Sequence, residues 1–309
     1  MSTVATPAPA PRRRRRRTTL QRRQTRIAWV LLLPALAAVA FVAIYPLGKT
    51  VYQSFTNQEF LQGLEPTRWV GLDNYKTLWH DSIFRHAVWV TIKFTLITVA
   101  FEFVLGLIIA LVVNSSFKGR GVMRAVMLVP WAIPTVVAAK MWQWMLDDVF
   151  GVVNDLLMKL HIISHPHAWI SDPATSLAAV SAVDIWKTTP FVALLLLAGL
   201  QVIPRDLYEA AGVDGASQLQ QFWRITLPLL MPAIFVTLIF RTLDALRVFD
   251  VFAVVFGNRP DTQTMAIYAQ STIVGDGHVG YGAAISVAIF LIIAIFVVIY
   301  VTFMRVTEE

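Results

Sequence analysis

The chain has 309 residues, of which 57% are hydrophobic and only 15% charged, and its mean hydropathy is +0.63. These values exceed the roughly half-apolar balance of a soluble domain and indicate a protein solvated mostly by lipid. The absence of cysteine excludes disulfide scaffolds, thiolate metal sites and cysteine nucleophiles. The net charge of +7 does not indicate nucleic-acid binding, because much of it lies in one run, Arg12–Arg17, without interleaved aromatic residues.

Six segments are apolar and long enough to cross a bilayer, a length that takes about 20 helical residues. The sequence therefore predicts an all-α integral membrane protein with six transmembrane helices at residues 27–304, a basic, disordered tail at 1–26 and a short tail at 305–309. A secretory signal is the alternative for the first segment, because arginines precede it and "ALAAVA" imitates a cleavage site, but the apolar run continues to Tyr45. The six segments are Ile27–Leu47, Val88–Val113, Val122–Trp144, Leu177–Leu200, Leu229–Phe256 and Ala283–Met304.

The positive residues of the connections indicate on which side of the membrane each connection lies, since lysine and arginine are retained in the cytoplasm. With the N-terminus inside, fifteen of them lie on the inner side and six on the outer side. This distribution predicts cytoplasmic termini and a cytoplasmic loop at Leu207–Pro228. The outer loops are long enough for another protein to dock on, at Gly48–Ala87, Asp147–Asp172 and Gly257–Gly282.

The cytoplasmic loop is polar although long apolar runs flank it. Pro204 is predicted to begin a short helix at Arg205–Val213, and Gly215 to end it before a second helix, Gln218–Ile225, that Pro228 terminates. The loop has no phosphate-binding, nucleophile or metal-spaced motif, so the chain is not expected to hydrolyse ATP itself. These residues fit two interpretations. The loop is either a helix pair on which another protein docks or a simple amphipathic connector.

The stretch "EAAGVDGASQLQQFWRITLP" (Glu209–Pro228) resembles the EAA motif of bacterial ATP-binding-cassette (ABC) importer permeases in its E-A-A, its D-G-A and its closing I-T-L-P. The resemblance implies a type I importer permease fold in which the loop at 201–228 is a coupling helix. Such a helix is seated in a cytoplasmic ATPase subunit and passes the closure of that subunit to the membrane helices. The coupling residues implied are Glu209, Ala210, Ala211, Asp214, Gly215 and Ala216.

Four further stretches resemble the sugar-transporting branch with the maltose and trehalose permeases: "WVGLDNY" (69–75), "RAVMLVPWAIP" (124–134), "DIWKTTPF" (184–191) and "RTLDALRVFD" (241–250). The resemblance covers nearly the whole chain and implies the assembly in which it works. The chain would pair with a second permease subunit as a heterodimer, rest on two ATPase subunits that hold ATP and Mg, and receive a disaccharide from an extracytoplasmic binding protein. It would itself bind no cofactor, metal or nucleic acid, catalyse no reaction and lie in the bacterial inner membrane.

Polar residues at mid-membrane depth are costly and are functional candidates by default. The fourth segment carries several and is interrupted by Pro190, which frees backbone carbonyls that a cavity-lining segment can use. Sugars suit a site that combines charged groups with an aromatic face. The substrate-binding residues expected are Trp131, Asp184, Lys187, Thr188, Arg241, Asp244 and Arg247.

The sugar-contacting positions of the maltose permease fall, by resemblance, on all of these residues except Arg247. The identities differ, so the substrate need not be maltose, and the stretches look closer to the trehalose type. Two (i, i+3) pairs, Asp184–Lys187 and Arg241–Asp244, could instead merely neutralise each other, and Trp131 could serve packing alone. Three other charged residues are interpreted as helix-interface residues and not as site residues: Lys93, Glu102 and Lys140.

Several alternatives remain open at this level. His161, His165 and His167 surround a proline in an outer loop and fit either a zinc site or, more simply, a solvated turn. Another sugar or a glycerol phosphate fits the same family. A proton-coupled secondary transporter would use Asp184 or Asp244 as a relay and need no ATPase. A membrane-embedded glycosyltransferase would need clustered catalytic carboxylates at the interface, and the sequence shows none.

Overall fold

A computed structural model of the chain describes residues 19–60 and 66–308. The Arg12–Arg17 run, with most of the basic tail predicted at 1–26, lies outside the described residues. Regular structure in the described ranges is almost entirely helical, and the last helix is described through Glu308.

The chain divides after residue 50 into two units. At the start, α1 (Thr19–Val39) continues through a π-helical turn (Ala40–Ile44) into α2 (Tyr45–Gln53). Together they give one apolar stretch, Arg26–Gln53, that is long enough to cross a membrane and has none of its apolar window buried. A helix that is apolar on every face is suited to lipid or to another membrane subunit.

In the second unit, the end of α2 is followed by a short helix, α3 (Asp73–His80), and by α4 (Ser82–Asn114). The side chain of Asp81 caps α4, because its carboxylate accepts the N–H groups of Ile83 at 2.8 Å and Phe84 at 3.2 Å. At 1.5 Å per residue α4 is about 50 Å long, which exceeds the thickness of the hydrocarbon core.

The third predicted segment, Val122–Trp144, is not one straight helix. The chain bends by 88° at Ile133–Pro134, because proline lacks an N–H and forces the residue before it into an extended conformation. Five helical segments in the described residues are long and apolar enough to span a membrane, and this bent pair gives a sixth if it is counted as one span. The pieces are α5 (Arg120–Met127), α6 (Val129–Ala132) and α7 (Thr135–Met145).

The most buried span is α9 (Pro173–Val202), which follows the short helix α8 (Val152–Lys159). Its first turn is capped by Asp172, and Pro190 is accommodated inside the helix. Gly106 of α4 lets α9 approach closely, because a Cβ at Gly106 would lie 2.6 Å from Cγ1 of Val192. The packing of α4 on α9 therefore depends on a small residue in α4.

The loop predicted to be cytoplasmic forms α10 (Asp206–Val213), then α11 (Gln218–Gln221), which continues through a π-helical turn (Phe222–Thr226) into α12 (Leu227–Leu246). The expectation that Pro228 ends the second helix is therefore wrong. Proline occupies the second position of α12, and the π-helical turn just before it rearranges the hydrogen bonds that its missing N–H would disturb.

The fifth predicted segment, Leu229–Phe256, is broken at Arg247–Phe249, which separate α12 from α13. The last span begins at Val279, a turn before the predicted Ala283. After α12 the structure contains α13 (Asp250–Phe256), a 3₁₀ turn (Pro260–Thr262), α14 (Met265–Gln270), a π-helical turn (Ser271–Gly275) and α15 (Val279–Glu308).

The N-terminal end of α4 is joined to α14 and α15 through one carboxylate. Oδ2 of Asp81 accepts hydrogen bonds from the hydroxyls of Tyr268 and Tyr281, each at 2.5 Å. Burial raises the pKa of Asp81, but the two hydroxyls and the backbone N–H groups lower it by more, so the net direction is downward. Burial and the bond to Asp81 raise the pKa of Tyr268 to about 12. At neutral pH these two hydrogen bonds therefore join an ionised carboxylate to two uncharged tyrosine hydroxyls.

We expect Gly106→Val to destabilise the chain, because the new side chain would collide with the β-branched Val192 and the backbone of Ala193. Overpacking of this kind costs about 1–3 kcal/mol. The matched control is Gly121→Val in α5, where a Cβ would meet nothing within 4 Å. Thermal unfolding in detergent should separate the two variants, and equal melting temperatures would contradict close packing of α4 on α9.

Candidate functional site

A cavity of about 370 Å³ lies among α6, α7, α9, α12 and α13. Its volume is within the range of about 300–1,000 Å³ typical of small-molecule sites. All seven residues expected to bind substrate line this cavity, and the structure adds Thr135, Val248, Phe249, Asp250 and Val251 to the lining. The sequence-predicted residues are therefore brought together, although they come from three separate stretches of the chain.

The cavity forms where helices are interrupted. Ile133–Pro134 separates α6 from α7 on one side, and Arg247–Phe249 separates α12 from α13 on the other. Non-helical backbone at membrane depth is tolerated where it is buried in protein or lines a polar cavity. The breaks therefore both open the space and supply its polar lining.

Arg241 is the centre of the charged groups and is almost wholly buried, with 3% of its surface exposed. Its Nε and Nη2 donate to the two carboxylate oxygens of Glu102, the second bond at 3.0 Å. Nη2 also donates to Asp184, and Nη1 donates to Asp244 at 3.2 Å. Arg241 thus joins α4, α9 and α12, and its pairing extends well beyond the local neutralisation by Asp244 that the sequence allows.

Lys187 does not form the expected local pair with Asp184. Its Nζ donates instead to the backbone carbonyl of Trp131 at 3.4 Å and so connects α9 with α6. The hydroxyl of Thr188 donates to Glu102 and also lies 2.6 Å from the carbonyl of Asp184. The α9 residues of the site are therefore held from α4, α6 and α12 at once.

Three of the seven expected side chains remain open to the cavity. Those of Asp244 and Arg247 are 60% and 69% exposed and lie 3.6 Å apart. Trp131 is 45% exposed and stacks on Phe191 with ring centres 5.8 Å apart and planes at 14°. The arrangement offers a sugar both hydrogen-bonding charges and a flat apolar surface.

Glu102 belongs to the charged cluster at the cavity, although the sequence assigns it only to a helix interface. The two lysines interpreted in the same way do not join the cluster, since Lys93 lies over the ring of Trp89 and Lys140 donates to Gln143 at 2.8 Å, and neither lines the cavity. Glu102 is fully buried and is bound by Arg241. The available signal was chemical: a carboxylate in the middle of an apolar span requires a cation, and Arg241 is an arginine at similar depth.

The residues expected to couple to an ATPase form a second surface. Glu209, Ala210 and Ala211 lie on α10, and the turn that follows contains Gly215 with a φ of +81°, a conformation that favours glycine. Ser217 caps α11 in a reciprocal box with Gln220. A groove of about 400 Å³ lies between the two helices and is lined by Ala211, Asp214, Gly215, Ala216, Gln220, Gln221, Arg224 and Ile225.

The histidines between α8 and α9 do not converge on a common point. His167 stacks edge-on against Trp169 and lies 3.2 Å from the hydroxyl of Thr175, while His161 has a φ of +56° at the end of α8. Within the described ranges no three histidine or acidic side chains are placed to hold a metal ion. This geometry gives no support to the zinc alternative.

Comparison with known proteins places the chain in a family. Residues 102–307 match the family described as binding-protein-dependent transport system inner membrane component. The chain is 40% identical over 282 residues to the trehalose/maltose transport permease MalF of Thermococcus litoralis, covering 91% of this chain and 94% of that one. It is 40% identical to the sulfoquinovosyl glycerol permease SmoG of Agrobacterium fabrum, with 90% of each chain covered. It is 37% identical to the trehalose permease SugA of Mycobacterium tuberculosis, with 90% and 88% covered.

Solved structures give the same fold. A bacterial ABC transporter involved in alginate import matches with a TM-score of 0.81 at 23% identity, over 93% of this chain and 98% of that one. The methionine transporter MetNI matches with a TM-score of 0.55 at 16% identity, over 76% and 99%. The expected all-helical importer permease fold is thereby confirmed. The chain belongs to the binding-protein-dependent transport family and is a multi-pass membrane permease of its sugar-transporting branch.

Proposed function

We propose that the chain is the membrane-spanning subunit of an ATP-driven importer that carries a neutral disaccharide of the trehalose or maltose type. The observation that carries the proposal is the cavity at helix breaks, in which an exposed tryptophan faces paired charges. Relatives named for trehalose and for trehalose and maltose support the same choice. An importer of another sugar or of a glycerol phosphate is the alternative, since SmoG is named for a different sugar.

The charges that line the cavity favour a neutral ligand. Three cationic side chains face three carboxylates there, and Glu102 adds one more carboxylate behind them. A polyhydroxylated sugar both donates and accepts hydrogen bonds, so it can use both signs of charge without bringing its own. The groups counted are Lys187, Arg241 and Arg247 against Asp184, Asp244 and Asp250.

We place the termini and the α10–α11 loop in the cytoplasm on the basis of the positive residues in the connections. There the groove beside Gly215 would receive an ATPase subunit, with ATP and Mg held by that subunit. Exposed apolar side chains around the groove support docking, among them Leu207, Val213, Leu219 and Trp223.

On the outer side we place the binding protein, and beside this chain a second permease that completes the pore. The similar alginate transporter has been solved in complex with a sugar-loaded periplasmic protein, which supports the first of these partners. Sugar would enter the cavity from outside and leave inward when the membrane helices rearrange. A secondary transporter would need no ATPase, so co-elution of an ATPase in detergent separates the two mechanisms.

The direct test is uptake of labelled trehalose, maltose and glycerol 3-phosphate by proteoliposomes that contain both permeases, the ATPases and the binding protein. We expect ATP-dependent uptake of one of the two disaccharides. Uptake of glycerol 3-phosphate alone would favour the alternative. Uptake that persists without ATP and follows a proton gradient would contradict the ATP-driven mechanism.

The orientation predicts that a cysteine introduced at Ser217 is inaccessible from outside. In intact cells an impermeant thiol reagent should leave Ser217→Cys unlabelled and should label it after the cells are opened. Val149→Cys, at an outer position whose side chain is 84% exposed, is the control that should react in intact cells. Labelling of the Ser217→Cys variant from outside would invert the topology.

The coupling role predicts that Glu209→Lys and Gly215→Val each loosen the ATPase while the membrane helices stay folded. Breaking one side of a buried interfacial charge pair costs about 2–5 kcal/mol, enough to be seen by co-purification. Gly257→Val is matched to Gly215→Val, since Gly257 also has a positive φ, +62°, with nothing within 4 Å of a Cβ. Retention of the ATPase and normal uptake in both loop variants would reduce the loop to a connector.

Direct contact with the sugar predicts that Asp244→Asn weakens uptake without disassembling the complex. Loss of one charge-assisted hydrogen bond should raise the apparent KM roughly tenfold to hundredfold. The control is Asp155→Asn, because Asp155 forms a comparable exposed ion pair with Lys159 at 2.6 Å but lies outside the cavity lining. An unchanged KM for Asp244→Asn would remove that residue from the site.

A further inference from the structure

Nearly all hydrogen-bond donors of the Arg241 side chain are engaged by other residues of the protein. A guanidinium has five N–H donors, and four of them are directed at carboxylates in this structure. Two of the four go to Glu102 in a bidentate pair, the geometry in which arginine binds a carboxylate most strongly. Arg241 therefore lines the cavity but has little left with which to bind a ligand.

Glu102 occupies two of these donors from behind the cavity. It is fully buried, belongs to α4 and is not among the lining residues. It also receives the hydroxyl hydrogen bond of Thr188, which does line the cavity. Glu102 thus acts on the site through two neighbours and cannot touch the sugar itself.

We propose that Glu102 is a positioning residue that sets the charge selectivity of the cavity: it withholds Arg241 from the ligand, so that neutral sugars are accepted and anionic sugars rejected. This inference rests on the proposed transport of a neutral disaccharide. A free guanidinium is the side chain best suited to bind a carboxylate, sulfonate or phosphate group bidentately. In this cavity that capacity is already occupied by a protein carboxylate.

The formal charge of the site also disfavours an anionic ligand. The formal charges of the lining residues sum to zero, with Lys187, Arg241 and Arg247 against Asp184, Asp244 and Asp250. Glu102 adds one negative formal charge behind them. An anionic sugar would therefore enter a site whose net charge opposes it and whose strongest anion-binding group is engaged. Replacing Glu102 by glutamine removes the excess charge and weakens the bidentate pair at the same time.

A purely structural role makes a different prediction. If Glu102 only stabilises helix packing, its replacement should reduce the amount of assembled complex and weaken all sugars equally. Selectivity between two sugars of the same shape but different charge would not change. The ratio of the two affinities is therefore the quantity that separates the two roles.

The experiment uses the purified complex of both permeases and the ATPases, without the binding protein, whose own preference would otherwise enter. Equilibrium dialysis measures binding of labelled trehalose and of its uronic acid, in which one hydroxymethyl group is replaced by a carboxylate. We expect Glu102→Gln to shift the affinity ratio about tenfold toward the uronic acid, the size of one charge-assisted hydrogen bond. Glu102→Asp keeps the charge but reaches less far, and it should give a smaller shift in the same direction.

The double variant Glu102→Gln/Arg241→Gln is the decisive control, because it removes the group that Glu102 is proposed to restrain. Its affinity for the uronic acid relative to trehalose should return to the wild-type value or fall below it. A shift that persists in the double variant, or an unshifted ratio in both Glu102 variants, would overturn the inference. If the Glu102→Gln variant does not assemble, the direction in which Glu102→Asp shifts the affinity ratio still tests the inference. Failure of the wild type to bind either trehalose or maltose would instead contradict the proposed function.

Discussion

The structure depends on one buried guanidinium. Arg241 lies at membrane depth with carboxylates from three helices around it: Glu102 on α4, Asp184 on α9 and Asp244 on its own helix. Removing the guanidinium would leave the carboxylates of Glu102 and Asp184 as uncompensated buried charges, at a cost of about 3–5 kcal/mol. A shift of one helix along another would separate these groups, so the cluster fixes the register of α4, α9 and α12. The same bonds place Asp184 and Thr188 at the wall of the cavity.

The connectivity of the chain joins this cluster to the α10–α11 loop. Helix α9, which carries Asp184, leads through three residues into α10, and α11 continues without a break into α12, which carries Arg241. The α10–α11 loop therefore lies at the ends of two of the three helices that the guanidinium holds together. Because helices transmit displacement along their length, a movement of the loop would act on the cavity as a rigid-body shift and not as a local rearrangement.

The sequence could predict the residues whose polar groups are costly to place in lipid. It could not predict which of them pair across large separations along the chain. The expense of polar groups in lipid identified Asp184, Lys187 and Arg241 as site residues, and the structure places all three on one cavity. Pairing was harder, because neighbours on one helix are visible in sequence whereas Glu102 and Arg241 are separated by 139 positions. Proline effects were also ambiguous: Pro134 breaks its helix, while Pro228 is absorbed by an adjacent π-helical turn.

Polar bonds of unequal strength join the walls of the cavity. On one side, α4, α9 and α12 share the buried cluster, and α4 is held further by the approach of α9 at Gly106. On the other side, α6 is connected to α9 by a 3.4 Å bond from Lys187 to a carbonyl, and α7 to α13 by a 3.3 Å bond from Gln143 to the carbonyl of Val255. Long neutral-acceptor bonds are weaker than short charge-assisted pairs.

Apolar packing holds the second wall as well. Phe252 of α13 meets Phe94 of α4 edge-on with ring centres 5.0 Å apart, and both rings belong to one buried cluster. The two walls therefore differ in their polar bonds, whereas apolar side chains pack both of them.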